Sequence, residues 1–178
     1  MTKINYQQKH DQLRNLIISK PYFFLGRDAD TFEIYMSEKE LKLYNNGING
    51  ALDALIIWYN KEREIKIADI VEVKITQNIT SSKKSILRKL AIYNFLVPTK
   101  YKEIKKENTR PIGAFLDTKK EKLKIKELIY DKSLFWDIVG KIKIKRRDKE
   151  LFKEIWDLKD KNTYWKDIFS CDMSLKNI

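Results

Sequence analysis

Apolar residues recur along this chain in two rhythms. Residues 4–18 carry Leu13, Leu16 and Ile17 on one side of a polar run, which predicts a helix, and Pro21 lies just beyond its end. The period then shortens. Phe32, Ile34 and Met36 alternate with polar residues, as do Leu41 and Leu43, which predicts one or two strands over residues 31–45. Asn45-Asn46-Gly47-Ile48-Asn49-Gly50 reads as a turn, because Asn and Gly tolerate positive φ. Residues 51–59 and 65–76 read as the next strands, with polar residues 60–64 turning the chain between them.

A helix is expected from Thr80, Ser81 or Ser82 as N-cap to about Leu96, with Ile86, Leu87, Leu90, Tyr93 and Phe95 on its apolar side and Pro98 after its end. Residues 100–110 are charged and read as a loop. Residues 111–117 and 123–130 read as two further strands around a turn at 118–121. Ser133 starts a helical pattern through Leu134, Ile138 and Ile142, and residues 149–159 carry another, with Leu151, Phe152, Ile155 and Trp156. No internal repeat is visible. The expected organisation is a core domain over residues 1–147 and a C-terminal helical appendage over 148–178, packed on or beside it. The class is α/β, a central mixed sheet flanked by helices.

Composition narrows the picture. The chain has 178 residues, 43% of them hydrophobic and 12% aromatic, enough for one well-packed domain. No apolar run approaches the ~20 residues of a membrane span, and residues 1–20 lack the apolar stretch and cleavage site of a signal peptide. Cys171 is the only cysteine, which excludes an intrachain disulfide and any four-cysteine zinc or iron–sulfur site within one chain. These features suit a cytoplasmic protein. The net charge of +12, from 37 basic and 25 acidic residues, favours a polyanionic partner, nucleic acid before an anionic membrane. AT-rich coding is a rival source of the lysine excess.

Charges embedded in the apolar strands carry the candidate chemistry. Asp53 stands in Gly50-Ala51-Leu52-Asp53-Ala54-Leu55-Ile56-Ile57, and Glu72 and Lys74 in Ile70-Val71-Glu72-Val73-Lys74-Ile75. Alternate strand residues share a face, so Glu72 and Lys74 emerge together. Two carboxylates and a lysine at a sheet edge can bind a divalent cation and activate water against a phosphodiester. The triplet by itself is common here: Glu40-Leu41-Lys42, Glu64-Ile65-Lys66, Glu103-Ile104-Lys105, Asp117-Thr118-Lys119 and Asp157-Leu158-Lys159 match it too. Its apolar surroundings set Glu72-Val73-Lys74 apart, since a charge at a core position needs a reason. The competing reading is a solvated sheet face.

With its neighbours the motif resembles the PD-(D/E)xK nuclease superfamily, and within it the RecB-like exonucleases, including the CRISPR-associated branch. Gly47-Ile48-Asn49-Gly50-Ala51-Leu52-Asp53 looks like the family's G-L/I-x-G-x-I/L-D, preceded by the charged strand at Glu40-Leu41-Lys42. Glu72-Val73-Lys74 fills the second acid motif. Lys89-Leu90-Ala91-Ile92-Tyr93 looks like Q-L-x-x-Y with lysine in place of glutamine, and residues 111–116 with the strand after them match the closing hairpin. The likeness covers roughly residues 5–145. The cysteines that hold an iron–sulfur cluster in many CRISPR-associated members are absent.

The resemblance implies a restriction-endonuclease-like core and a Mg²⁺- or Mn²⁺-dependent deoxyribonuclease without an iron–sulfur cluster, acting on single- or double-stranded DNA. A compact nuclease of this kind suits a virus or mobile element. It implies Asp53 and Glu72 as metal ligands and Lys74 as the residue that orients water or neutralises phosphate charge. His10, the only histidine, would be the upstream ligand, although the usual glycine before it is missing. Each role has a plainer rival: Asp53 as a turn cap, Lys74 as a strand lysine in water, His10 as a surface residue.

Lys83, Lys84, Arg88 and Lys89 could hold phosphates beside the site, and Tyr93 could touch substrate; a solvated helix face and a core tyrosine are the rivals. Residues 141–147, with Lys141, Lys143, Lys145, Arg146 and Arg147, form a second basic run of the same ambiguity. Trp156, Tyr164 and Trp165 could stack on bases, although packing against the core is favoured. Two other functions compete with the enzyme. One is a pleckstrin-homology-like β-domain binding anionic lipid or protein. The other is an inactive nucleic-acid binder on the nuclease fold.

Overall fold

The computed structural model describes residues 5–45, 48–132 and 163–178. Helix α1 (Tyr6–Ser19) opens at Asn5, whose side chain accepts the Gln8 N–H, and a short α2 (Pro21–Leu25) follows, with Pro21 at its first turn and Gly26 in the left-handed conformation closing it. Strands β1 (Phe32–Asn45), β2 (Ile48–Asn60) and β3 (Ile65–Thr76) run antiparallel in sequence. Helix α3 (Ile79–Lys100) then carries the chain to β4 (Thr109–Asp117), which pairs parallel to β3. Strands β5 (Lys122–Ile129) and β6 (Tyr164–Asp172) continue antiparallel, giving one mixed six-stranded sheet in the order β1-β2-β3-β4-β5-β6. The expected α/β class, a mixed sheet flanked by helices, is what forms.

The sheet is covered on both faces. Beneath α3 lie Leu55, Ile57, Ile70 and Phe115, packed on Ile86, Leu90 and Val97 of the helix. On the other face Trp58, Val71, Val73, Ile112 and Ile125 pack on Leu13 and Ile17 of α1 and Phe24 and Leu25 of α2. Such double burial explains the unbroken run of buried residues in the middle of β3, residues 67–73.

Several expectations are corrected. The cap of α3 is Asn78, whose side chain accepts the Ser81 N–H, and Pro98 lies inside the helix, whose end is held by buried Leu96 and Val97 and by the Tyr101 N–H on the Val97 carbonyl. The charged segment after it is anchored by buried Ile104. A pleckstrin-homology barrel is not formed, because α3 and the parallel β3–β4 pair interrupt the antiparallel run. Helix was expected over the whole tail, yet Tyr164–Asp172 is the sixth strand. Trp165 packs edge-on against Phe115 and Phe169 against Phe23 and Phe24, so aromatic docking and pairing with β5 hold this segment as a strand. The helices expected from Ser133 and over residues 149–159, the basic run 141–147 and Trp156 lie outside the described residues. Among the described residues, no helix is long and apolar enough to cross a membrane.

One end of the sheet is locked by charge. Asp69, fully buried, accepts from Arg27, from Arg110 and from the Trp58 indole N–H at 2.8 Å. Burial alone would raise the Asp69 carboxyl, but the two guanidinium groups overcome this and hold it below the usual range. Asp69 points to the α1–α2 face, opposite to Glu72, as the strand period requires.

Candidate active site

The site begins with a fork in the sheet. Pairing of β2 with β3 runs from Asn60↔Ile65 to Ala54↔Val71 and stops there. Beyond that level β2 stays with β1 as far as Ile48, while β3 stays with β4 as far as Thr76. Asp53 is the first residue of β2 past the split, and Glu72 the first of β3. The side chain of Asp53 replaces the missing ladder: its Oδ2 accepts the Val73 N–H at 2.7 Å.

The backbone is bent to allow this. Pairs Lys39↔Ala54 and Leu41↔Leu52 flank the level where Glu40 stands opposite Asp53, and Glu40 has φ of 53°, the left-handed region. Side-chain alternation slips there: Leu52 joins the core under α3, whereas Ala54, two residues on, joins the core under α1. A slip of this kind re-aims a side chain out of the regular alternation, and here it leaves Asp53 at the strand gap. Glu40 is fixed by Arg14, whose Nη1 donates to it at 3.1 Å and lies 3.2 Å from Asp11.

His10 of α1 closes the gap from one side. Its Nε2 lies 3.3 Å from Asp53 Oδ2 and 3.2 Å from the Val73 carbonyl, and its Nδ1 lies 3.3 Å from Asp11. The hydrogen bond to Asp53 raises the imidazole above its ordinary value against the opposing effect of burial. Burial would raise Asp53, but hydrogen bonds from His10 and the Val73 N–H hold its carboxyl below the usual range. Asp53 is therefore the anion of the site.

Glu72 behaves oppositely. It is 5% exposed and lies under α3. Lys89 Nζ donates to its Oε1 at 2.9 Å, while Oε2 is buried and receives no donor. Burial, then the neighbouring Asp53 carboxylate, push Glu72 up to about 7 in spite of Lys89. A proton on Glu72 can be donated towards Asp53, so the pair balances one proton near neutrality.

Of the expected residues, the fold brings Asp53, Glu72, His10 and Lys89 together. Lys74 leaves β3 exposed, two residues from Glu72 on the same face, and is not the ammonium at the carboxylates. Tyr93 is buried: its hydroxyl donates to the Ala51 carbonyl at 2.9 Å and its ring lies where a Cβ on Gly50 would be. Lys83 is half-buried and faces β5 instead of the acid pair. The side chains of Lys84 and Arg88 are outside the described residues. Sequence reasoning gave Glu40, Arg14 and Asp11 no part in the site; the charged strand at Glu40 was their one signal.

No family model matches the chain, and no curated protein or solved structure matches it. Among the described residues, no three His, Cys, Asp or Glu side chains form a group ready to hold a metal ion. Glu72 is turned to Lys89, and His10 presents its Nε2 to Asp53.

Proposed function

We propose that this chain is a metal-dependent nuclease that hydrolyses DNA phosphodiesters on a restriction-endonuclease-like core. The fork carries the reading. Two strands of a buried sheet part at the level of two carboxylates, one held anionic and the other bearing a buried oxygen without a donor. An orphaned acceptor is costly unless something supplies positive charge or a proton. A hard divalent cation prefers such carboxylate oxygens, so the donor set fits Mg²⁺ or Mn²⁺ held by Asp53 and Glu72, with His10 beside them. When bound, the cation supplies Lewis acidity and lowers the pKa of water.

The chain's own residues do the rest. His10 and the Val73 N–H fix the orientation of Asp53. Lys89 offsets part of the cost of ionising buried Glu72. Lys74 extends from the Glu72 face towards solvent, where it can meet a phosphate or an attacking water. A second reading, a nucleic-acid binder that does not cut, draws on the same pair, because Lys89 already supplies positive charge at Glu72. Incubation of labelled single- and double-stranded DNA with Mg²⁺ or Mn²⁺, and with EDTA, separates the two. Cleavage that is lost in Asp53→Ala and Glu72→Ala is the expected result. Absence of cleavage by folded protein in both metals overturns the enzyme reading.

A further inference from the structure

Strand β5 carries a lysine at every second position, Lys122, Lys124 and Lys126, while Leu123 and Ile125 between them enter the core under α1. The register sets these lysines on the face that bears the acid pair. Glu72 is level with Gly113, and Gly113 with Lys126; Lys74 is level with Phe115, and Phe115 with Lys124. At about 4.8 Å per strand, Lys126 lies about 10 Å across the sheet from Glu72. Lys83 approaches from α3, and Lys83, Lys122, Lys124 and Lys126 are each partly buried residues.

Lys83, Lys122, Lys124 and Lys126 outnumber the two carboxylates that answer them, Asp167 and Asp172. Lys126 is bonded to Asp167 of β6, and Lys122 is 4.0 Å from Asp172. Burial, then the like charges of Lys126 and Lys124, lower the Lys83 ammonium, and the same three lysines hold Asp167 below the usual carboxylate range. A cleft of about 340 Å³ opens here, lined by Lys122, Lys124, Lys126, Asp167, Phe169 and Ser170. Half-buried like charges at a concave site are relieved by an anion. Asp167, mostly exposed, is the internal anion that an incoming one must replace.

We propose that Lys83, Lys124 and Lys126 around Asp167 bind a backbone phosphate of a nucleic-acid strand, a few nucleotides from the phosphodiester that lies at Asp53 and Glu72. The second half rests on the nuclease reading; the first does not. A nucleic-acid strand fits better than a membrane surface, because the cleft is concave and shares its row with the acid pair.

The test measures binding of a fluorescein-labelled thymidine oligonucleotide in EDTA over a salt series. Wild type is compared with Lys83→Gln/Lys124→Gln/Lys126→Gln and with Asp167→Asn, folding being checked by circular dichroism. The triple variant should bind more weakly, with a log-affinity versus log-salt slope shallower by roughly one to two units. Asp167→Asn, which removes the competing carboxylate, should bind more tightly. Affinity unchanged in both variants overturns the inference, as does a loss confined to binding of phosphatidylserine vesicles. Weaker oligonucleotide binding in the triple variant with no cleavage by wild type would leave this site standing and overturn the nuclease reading alone.

Discussion

Lys89 Nζ stands 2.9 Å from Glu72 Oε1, so the ammonium that meets the candidate carboxylates comes from α3, not from Lys74 two residues along β3. This exchange places a crossover helix in electrostatic contact with the fork. It also divides the work of two exposed lysines, one paired with the buried Glu72 carboxyl and one turned to solvent.

Lys89→Ala is expected to drive the Glu72 carboxyl further above about 7, because burial and Asp53 then act unopposed. Carboxylate titration by NMR in wild type and variant measures this. Above that pH the variant should lose roughly 1–2 kcal/mol, less than a fully buried pair because the lysine is 57% exposed. Lys74→Ala should leave the Glu72 titration in place.

Glu72 should make stability fall as pH rises. Its folded value of about 7 lies above the reference 4.5, so the native state binds the extra proton between those values. The group is compatible with folding below about 4.5 and becomes costly as pH climbs through 7. Glu72→Gln removes that cost. Urea denaturation should find the variant close to wild type at pH 5 and more stable at pH 8, by up to a few kcal/mol at about 1.4 per pKa unit. A variant less stable than wild type at pH 8 would contradict this assignment.

Cation binding at the fork should expel protons. Near pH 6.5 Glu72 is largely protonated and His10 is raised, so Mn²⁺ must displace their protons before it binds there. Calorimetry in buffers of different ionisation enthalpy should report more proton release at pH 6.5 than at pH 8.5. Mn²⁺ binding without proton release at pH 6.5 would put the ion elsewhere.

Asp69→Ala serves as a structural control. It strands Arg27 and Arg110 and removes the acceptor of the Trp58 indole, so a cost on the order of 3–5 kcal/mol is expected. Cleavage per folded molecule should be unchanged, since Asp69 faces away from the fork. Thermal denaturation and single-turnover cleavage below the melting point separate the two effects.

Much of this was legible in the chain. The period of residues 65–76 marks a strand with the bounds observed, and the lone aspartate in an earlier strand led to Asp53. What escaped notice depends on contacts between distant elements. Lys89 was expected to hold a phosphate, and only the crossing of α3 over β3 makes it the partner of Glu72. Positive φ at Glu40 breaks an alternation that looks continuous in sequence. Asp69 reads as a flanking acid until Arg27 and Arg110 arrive from two other segments. Strand β6 is a short mixture of polar and aromatic residues whose pairing is decided by β5, Phe23 and Phe115.

The split between β2 and β3 has a consequence for how the molecule can change. From Ala54↔Val71 to Asn60↔Ile65 the two strands are zipped, and Asp69 rivets that stretch to Arg27 and Arg110. Their other ends part and carry the acids. Cohesion and the candidate acids thus occupy opposite ends of the same pair of strands. Residues around the fork can be exchanged, and the spacing of the carboxylates retuned, while the riveted end goes on holding the sheet together.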